Sequence, residues 1–290
     1  MEPILVGVVR GGLVEARHVV HAVAVRDGVV AAAVGDPGLV TYLRSSAKPI
    51  QALPVARARP DLTDAEIAIA CASHLARLEQ LERVRSLLAK APATEDDLEC
   101  GPDPTRVEHN CSGKHAGMLA LCRAKDWPTE GYRLAGHPCQ DAMLDEVAAA
   151  AEVGPDAIRT AIDGCGVLTF GLPLERMAHA FSRLELLDGG PRVAGAMREF
   201  PELIRGPHAA DTMLMRTVPG WIAKGGAEGL LCAASPGGLG VALKVEDGST
   251  RAVRSGLAAF LGRLGVETGE LGVVSVENSR GETVGELRAL

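Results

Sequence analysis

At 290 residues, 47% hydrophobic and 23% charged, the chain can bury a large core and fold as one big domain or two lobes. A net charge of −7 and only 3% aromatic residues argue against a nucleic-acid or anionic-membrane partner, which would want a basic face and stacking platforms. No apolar stretch has the length and freedom from charge of a spanning helix. The opening MEPILVGVVRGG has no basic n-region and too short an apolar run for a signal peptide. Seven cysteines, an odd number, fit reduced thiols better than a disulfide frame. A soluble cytoplasmic protein is expected.

The first 43 residues read as strands: LVGVVR, LVEARHVVHAVAV and VVAAAV are β-branched runs. The last two are joined at Asp27-Gly28, a strong hairpin signal. From Ser45 to about Glu185 the period turns helical. Thr63 followed by Glu66 is a capping-box pattern opening DAEIAIACA. LARLEQLERVRSLLAKA (75–91), CQDAMLDEVAAAAEV and PLERMAHAFSRLE carry apolar residues at helical spacing. After Asp211-Thr212 a short helix leads to glycine-rich strands, AKGGAEGLLCAASPGGLGVALKVEDG. A helix at 251–264 follows, and VVSVENSRGETVGEL closes the chain as strand and turn. This pattern is α+β: a mixed or antiparallel sheet built from both chain ends with an inserted helical lobe. It predicts one domain with two lobes, a sheet lobe of about 1–60 and 215–290 and a helical lobe of about 61–214.

Of the 30 Lys and Arg residues only six are lysines, so a lysine marks work that an always-charged arginine cannot do. In RSSAKPIQ (44–51), Ser45 as N-cap would share a helix face with Lys48, three residues on. A serine nucleophile with a neutral lysine base fits that spacing. Bringing a lysine from its ordinary pKa to near 7 takes roughly 4–5 kcal/mol. A plain helix cap with a solvent-facing lysine fits the same residues. Cys71-Ala72-Ser73-His74 ends an apolar helix and can bring Ser73 to a cleft. HNCSGKHAGMLALC (109–122) sets Cys111, Lys114 and His115 at a helix start, with Cys111 and Lys114 facing one point. Metal ligation and a buried structural cysteine both fit. DGCG (163–166) adds Asp163 and Cys165 in a turn. AKGGAEG lacks the G-x-x-x-x-G-K-[ST] frame of a phosphate loop and is set aside as a nucleotide site. Lys244, mid-strand in ALKVEDG, faces either solvent or a cleft.

Taken in order, RSSAKPIQ, CASH, NCSGKHAGML, DGCG, DTMLM, AKGGAEG and ALKVEDG resemble the rhizobial-type L-asparaginase family, the L-asparaginase II proteins, over nearly the whole chain. The resemblance implies a fold like that of serine β-lactamases and glutaminases. It also implies hydrolysis of L-asparagine to L-aspartate and ammonia by two Ser–Lys pairs beside a zinc site, in a homodimer. Carried over by residue, Ser45 would be the nucleophile and Lys48 its base, with Ser73 and Lys244 as the second pair. Cys111, Lys114 and Cys165 would hold the zinc. Arg44, His115 and Asp163 would shape the substrate pocket. After CASH the family continues with glycine and an acidic residue, where this chain has Leu75-Ala76-Arg77. That departure keeps open an amidase of another small amide, such as glutamine or a β-lactam. A third alternative is a non-catalytic amino-acid or zinc sensor.

Overall fold

The computed structural model describes residues 1–290. The opening β-branched runs form β1 (Ile4–Arg10), β2 (Leu13–Arg26) and β3 (Val29–Val34). Asp27 and Gly28 join the last two with φ of 51° and 76°, the positive values that a two-residue hairpin of the primed type needs. A short β4 (Val40–Tyr42) leads into a 3₁₀ turn, Arg44–Ala47, which runs straight into α1 (Lys48–Gln51) and α2 (Leu53–Ala58).

The helical stretch continues with α3 (Asp64–Ala70), α4 (Leu78–Lys90), α5 (Ser112–Ala124) and α6 (Pro138–Ala151). At the start of α3 the capping box closes as read: Thr63 N–H donates to Glu66 Oε2 at 2.7 Å, and Glu66 N–H to Thr63 Oγ1 at 3.3 Å. The α4 helix starts three residues later than the leucine spacing suggests. Ala76 takes a left-handed φ of 54°, and a helix cannot pass through such a residue.

One element is absent from the sequence reading. Residues 159–173, expected in a helical stretch, contain β5 (Arg159–Ile162) and β6 (Leu168–Pro173). With β4 they form a separate sheet in the order β4-β6-β5. Strands of three to six residues are too short to show a period of two. Beyond them come α7 (Leu174–Ser182), α8 (Gly190–Glu199), α9 (Pro201–Ile204) and α10 (Ala210–Thr217).

The chain then returns to the main sheet through β7 (Ile222–Gly225), β8 (Leu230–Ala234) and β9 (Gly240–Val245). After α11 (Val253–Arg263) it adds the hairpin β10 (Val274–Glu277) and β11 (Thr283–Ala289). The order is β10-β11-β1-β2-β9-β8-β7, with β3 also on β2, and every pairing is antiparallel. Both chain ends thus interleave in one sheet, with β1 between β11 and β2.

Strand alternation sorts the sheet residues onto two cores. Val241, Leu243 and Val245 of β9 join Ala223 of β7 in the smaller core, together with Leu257, Phe260 and Leu261 of α11. Ile222, Cys232 and Ala242 point the other way, into the larger core shared with α1 to α8. Lys224 and Lys244 follow Ile222 and Ala242 by two residues, so both lysines face the helical side. No helix is long and apolar enough to cross a membrane.

The start of α5 is fixed by one glycine. A Cβ on Gly113 would lie 2.1 Å from the Ile69 carbonyl oxygen of α3, so the two helices touch backbone to backbone there. Gly113→Ala is expected to lower stability by about 1–3 kcal/mol, since an added methylene in a packed core has nowhere to go. Urea unfolding checks it, and an unchanged midpoint would show that the α3–α5 contact is looser than described.

Candidate active site

The turn after β4 carries Ser45. Arg44 before it has a φ of 49° and is tied by its N–H to Thr169 Oγ1 of β6 at 3.1 Å. The backbone therefore twists sharply into the serine while both flanks are held. Ser45 is half-buried and lines a cleft of about 300 Å³ with Ser73, Asn110, Arg205, Gly226 and Glu228. It does not act as a helix cap; Leu43 holds that position, and no side chain caps the turn. Ser46, which points away from the cleft, donates to the Lys224 carbonyl at 2.9 Å and pins the turn to β7.

Lys48 is buried in the first turn of α1. Its amine donates to the Ala72 carbonyl and, at 3.1 Å, to Ser73 Oγ. The hydrogen-bonded serine–lysine pair is thus Lys48 with Ser73, not Lys48 with Ser45 as helical spacing suggested. Ser73 is well anchored: its N–H donates to Ile204 O at 2.7 Å, and the N–H of His74 to Asn110 O at 3.2 Å. His74 is held as a neutral ring. Burial, with the nearby Lys48 charge, lowers it to about 4. Its Nδ1 accepts from Ala76 N–H at 3.2 Å, so its proton sits on Nε2, 2.7 Å from Ser112 Oγ. CASH is locked to the first residue of α5 by that bond.

Lys244, expected to partner Ser73, does not reach it. Its amine bonds to Val245 O, and the charges around it are Glu228, Asp247 and Glu246. A further buried lysine, Lys224 of the set-aside AKGGAEG stretch, lies two residues before Gly226 of the cleft. It is fully buried, donates to Gly225 O at 2.6 Å, and lies 3.6 Å from Asp211 Oδ2. Burial lowers it to about 7; Asp211 opposes the shift, and Lys48 and Arg205 add to it. A lysine among apolar residues directly before two glycines was the available signal. Screening it only against a phosphate-loop frame hid it.

The third group sits where α5 meets the β5–β6 loop. Lys114 Nζ donates to Cys165 Sγ at 3.0 Å, and Cys111 Sγ to Asn110 Oδ1 at 3.0 Å. A hydrogen bond from Cys111 lowers the Cys165 thiol to about 4 against the pull of burial, helped by Lys114. Burial pushes Lys114 down, but Cys165, Cys111 and Asp163 outweigh it and hold its pKa above the ordinary value. Asp163 follows the same logic: burial raises it, while Lys114 and then Arg44 bring it below its usual range. Arg44 Nε donates to Asp163 Oδ1 at 2.6 Å, so RSSAK and DGCG are one unit. No three His, Cys, Asp or Glu side chains gather as a metal cluster. The available donors are two sulfurs and an amine.

His115 completes the group. Tyr132 Oη accepts from Glu99 N–H at 2.9 Å and gives its own proton to His115 Nδ1 at 2.7 Å. The His115 proton is then on Nε2, buried and without a partner. Burial, with Lys114, holds this ring well below its ordinary pKa. A buried donor with no acceptor is costly unless a ligand supplies one.

Ser45 and Ser73 thus line one cleft, with the buried Lys48 amine bonded to Ser73 behind it. The chain belongs to the L-asparaginase II family, whose profile matches residues 6–289, and membership supports an asparaginase or related amidohydrolase activity. No curated protein sequence matches it. Among solved structures, the crystal structure of Mglu in its native form is similar at a TM-score of 0.48 and 13% identity, over 90% of this chain and 70% of that one. Mglu in its native form in the presence of 4.3 M NaCl gives 0.46 and 14%, over 86% and 61%.

Proposed function

We propose that the chain hydrolyses L-asparagine to L-aspartate and ammonia, with Ser45 as nucleophile. The observation that carries this is the cleft that Ser45 shares with Ser73, whose hydroxyl is hydrogen-bonded to the buried Lys48. Ser45 Oγ attacks the side-chain amide carbon and its proton passes to the Lys48–Ser73 pair. As the tetrahedral adduct collapses, the C–N bond breaks and the nitrogen takes a proton from Ser73, which Lys48 replenishes. Ammonia leaves an acyl-serine, and water, deprotonated through the same groups, releases aspartate. Lys224 replaces Lys244 as the second lysine. Burial brings it down to about 7, the range in which a group that receives protons in the cycle works.

Cys111, Lys114 and Cys165 would supply a zinc ion with two sulfur donors, one of them already acidic, and one nitrogen. Bound there, zinc would act as a Lewis acid that orients or polarises substrate. Lys114 must give up its proton to serve. Dialysed protein is expected to hold one zinc per chain by elemental analysis, and Cys165→Ser to lose most of it. Equal zinc in both would move the metal elsewhere.

Ammonia release from L-asparagine tests the main reading. Wild type should be active and Ser45→Ala reduced at least about 1,000-fold, in line with loss of a covalent nucleophile. A fully active Ser45→Ala would leave Ser73 as the nucleophile.

The pH profile tests Lys224. Its neutral fraction grows with pH, so kcat/KM should rise between about pH 6 and 8 and then level off. Asp211 raises the Lys224 pKa, so Asp211→Asn should move that limb to lower pH. A limb that stays put, or moves up, would remove Lys224 from the chemistry.

A further inference from the structure

Two charges of opposite sign face the cleft without a partner in the chain. Arg205 is half-buried there, and its guanidinium makes no hydrogen bond or ion pair. The other arginine near the serines, Arg44, is committed to Asp163. The Arg205 backbone is fixed on both sides. Gln80, fully buried in α4, donates from Nε2 to Arg205 O at 2.9 Å and to Glu202 O at 3.1 Å. Its Oε1 accepts from Leu75 N–H at 2.9 Å and from Arg77 N–H at 3.1 Å. Ser73 N–H, as noted, holds the preceding residue, Ile204. The Arg205 backbone, from which the guanidinium extends, is therefore set relative to Ser73 and to the altered LAR segment.

The opposite charge is Glu228, in the loop after β7. Its φ of 58° is left-handed, and its carboxylate reaches back over Gly248, where a Cβ would lie 2.7 Å from Oε2. Glu228 forms no ion pair, although Lys244 feels its charge; the Lys244 amine goes to Val245 O instead. Arg205 is half-buried and Glu228 exposed, and both line the same cleft as Ser45 and Ser73, so two opposite charges are free there to meet a ligand.

We infer that Arg205 and Glu228 are a clamp for a zwitterion: Arg205 takes the α-carboxylate and Glu228 the α-ammonium of an amino acid. The side-chain amide is then left for Ser45 and Ser73. This deepens the amidohydrolase reading and rests on it for the identity of the reacting group. It narrows the substrate class to free α-amino acids with a side-chain amide, and it excludes amides inside a peptide, which lack both charges. A guanidinium grips a carboxylate through two parallel N–H bonds, which a lysine cannot do. A neighbouring cavity of about 460 Å³ shares Arg205 and Gly226 with the cleft and adds His208, Arg251 and Arg254. Its one acidic lining residue, Asp211, lies beside Lys224. In a chain of net charge −7, that vestibule is a local cationic approach for a carboxylate.

The test reads binding, so it does not depend on turnover. Affinities for L-aspartate, succinate (no ammonium) and 3-aminopropanoate (no α-carboxylate) are measured by calorimetry on wild type, Arg205→Met and Glu228→Gln. Arg205→Met should weaken L-aspartate and succinate about 10- to 100-fold and leave 3-aminopropanoate near its wild-type value. Glu228→Gln should weaken L-aspartate and 3-aminopropanoate by a similar factor and spare succinate. Arg205→Lys should recover part of the loss. Equal weakening of all three probes in a variant would mean a structural role and overturn the clamp. So would unchanged L-aspartate affinity, or a wild type that binds none of the three. The predicted pattern in a wild type that releases no ammonia would keep the clamp and overturn the asparaginase reading.

Discussion

A lysine cut off from water has to be answered by something, and the geometry of this cleft depends on how Lys224 is answered. Asp211 lies beside it, and the same carboxylate accepts from Gly225 N–H at 3.0 Å and Thr212 N–H at 3.0 Å. One side chain thus joins α10 to β7. From β7, the Lys224 carbonyl receives Ser46 and so sets the turn that presents Ser45. Removing one partner of a buried pair of this kind costs about 3–5 kcal/mol, because the other charge is stranded. Replacing both with apolar residues of like size is often neutral. The pair thus couples a buried charge to the backbone turn that carries Ser45.

Arginine and lysine divide their work accordingly. Four of the six lysines, Lys48, Lys114, Lys224 and Lys244, are buried. The arginines grip backbone carbonyls and carboxylates at the margins, as Arg192 does with Ala56 O and Arg59 O, and Arg254 with Leu271 O and Val273 O. An arginine keeps its proton and can only hold; a lysine can be emptied or filled by its surroundings. The scarcity of lysine visible in composition is, in space, a concentration of lysine on the reactive side of the sheet.

What could be read from sequence follows the range of the forces involved. Asp27-Gly28 and Thr63–Glu66 were legible because a turn and a cap are decided by neighbours. The main sheet was legible as strands at both chain ends, though its order was not, since β1 pairs with β11 across nearly the whole chain. The small sheet was hidden, because β5 and β6 are short and lie between helices α6 and α7. At the cleft, residue types were readable and partners were not. Ser45 and Lys48 sit three apart on one turn, yet the amine chooses Ser73, 25 residues away. Local spacing shows which groups can meet; burial and a fixed acceptor determine which do.

The Leu75-Ala76-Arg77 segment shows how such a departure is absorbed. Ala76 occupies a left-handed position where an L-residue costs roughly 1–2 kcal/mol. That strain is met by two fixed acceptors, Gln80 for the N–H groups of Leu75 and Arg77, and His74 Nδ1 for that of Ala76. Gln80 also holds the Arg205 carbonyl, so this loop is tied to the Arg205 backbone as well as, through His74, to Ser73. Lys48 and Ser73 are held by other bonds, to the Ala72 carbonyl after α3 and to Ile204 of α9, while Lys224 is part of β7.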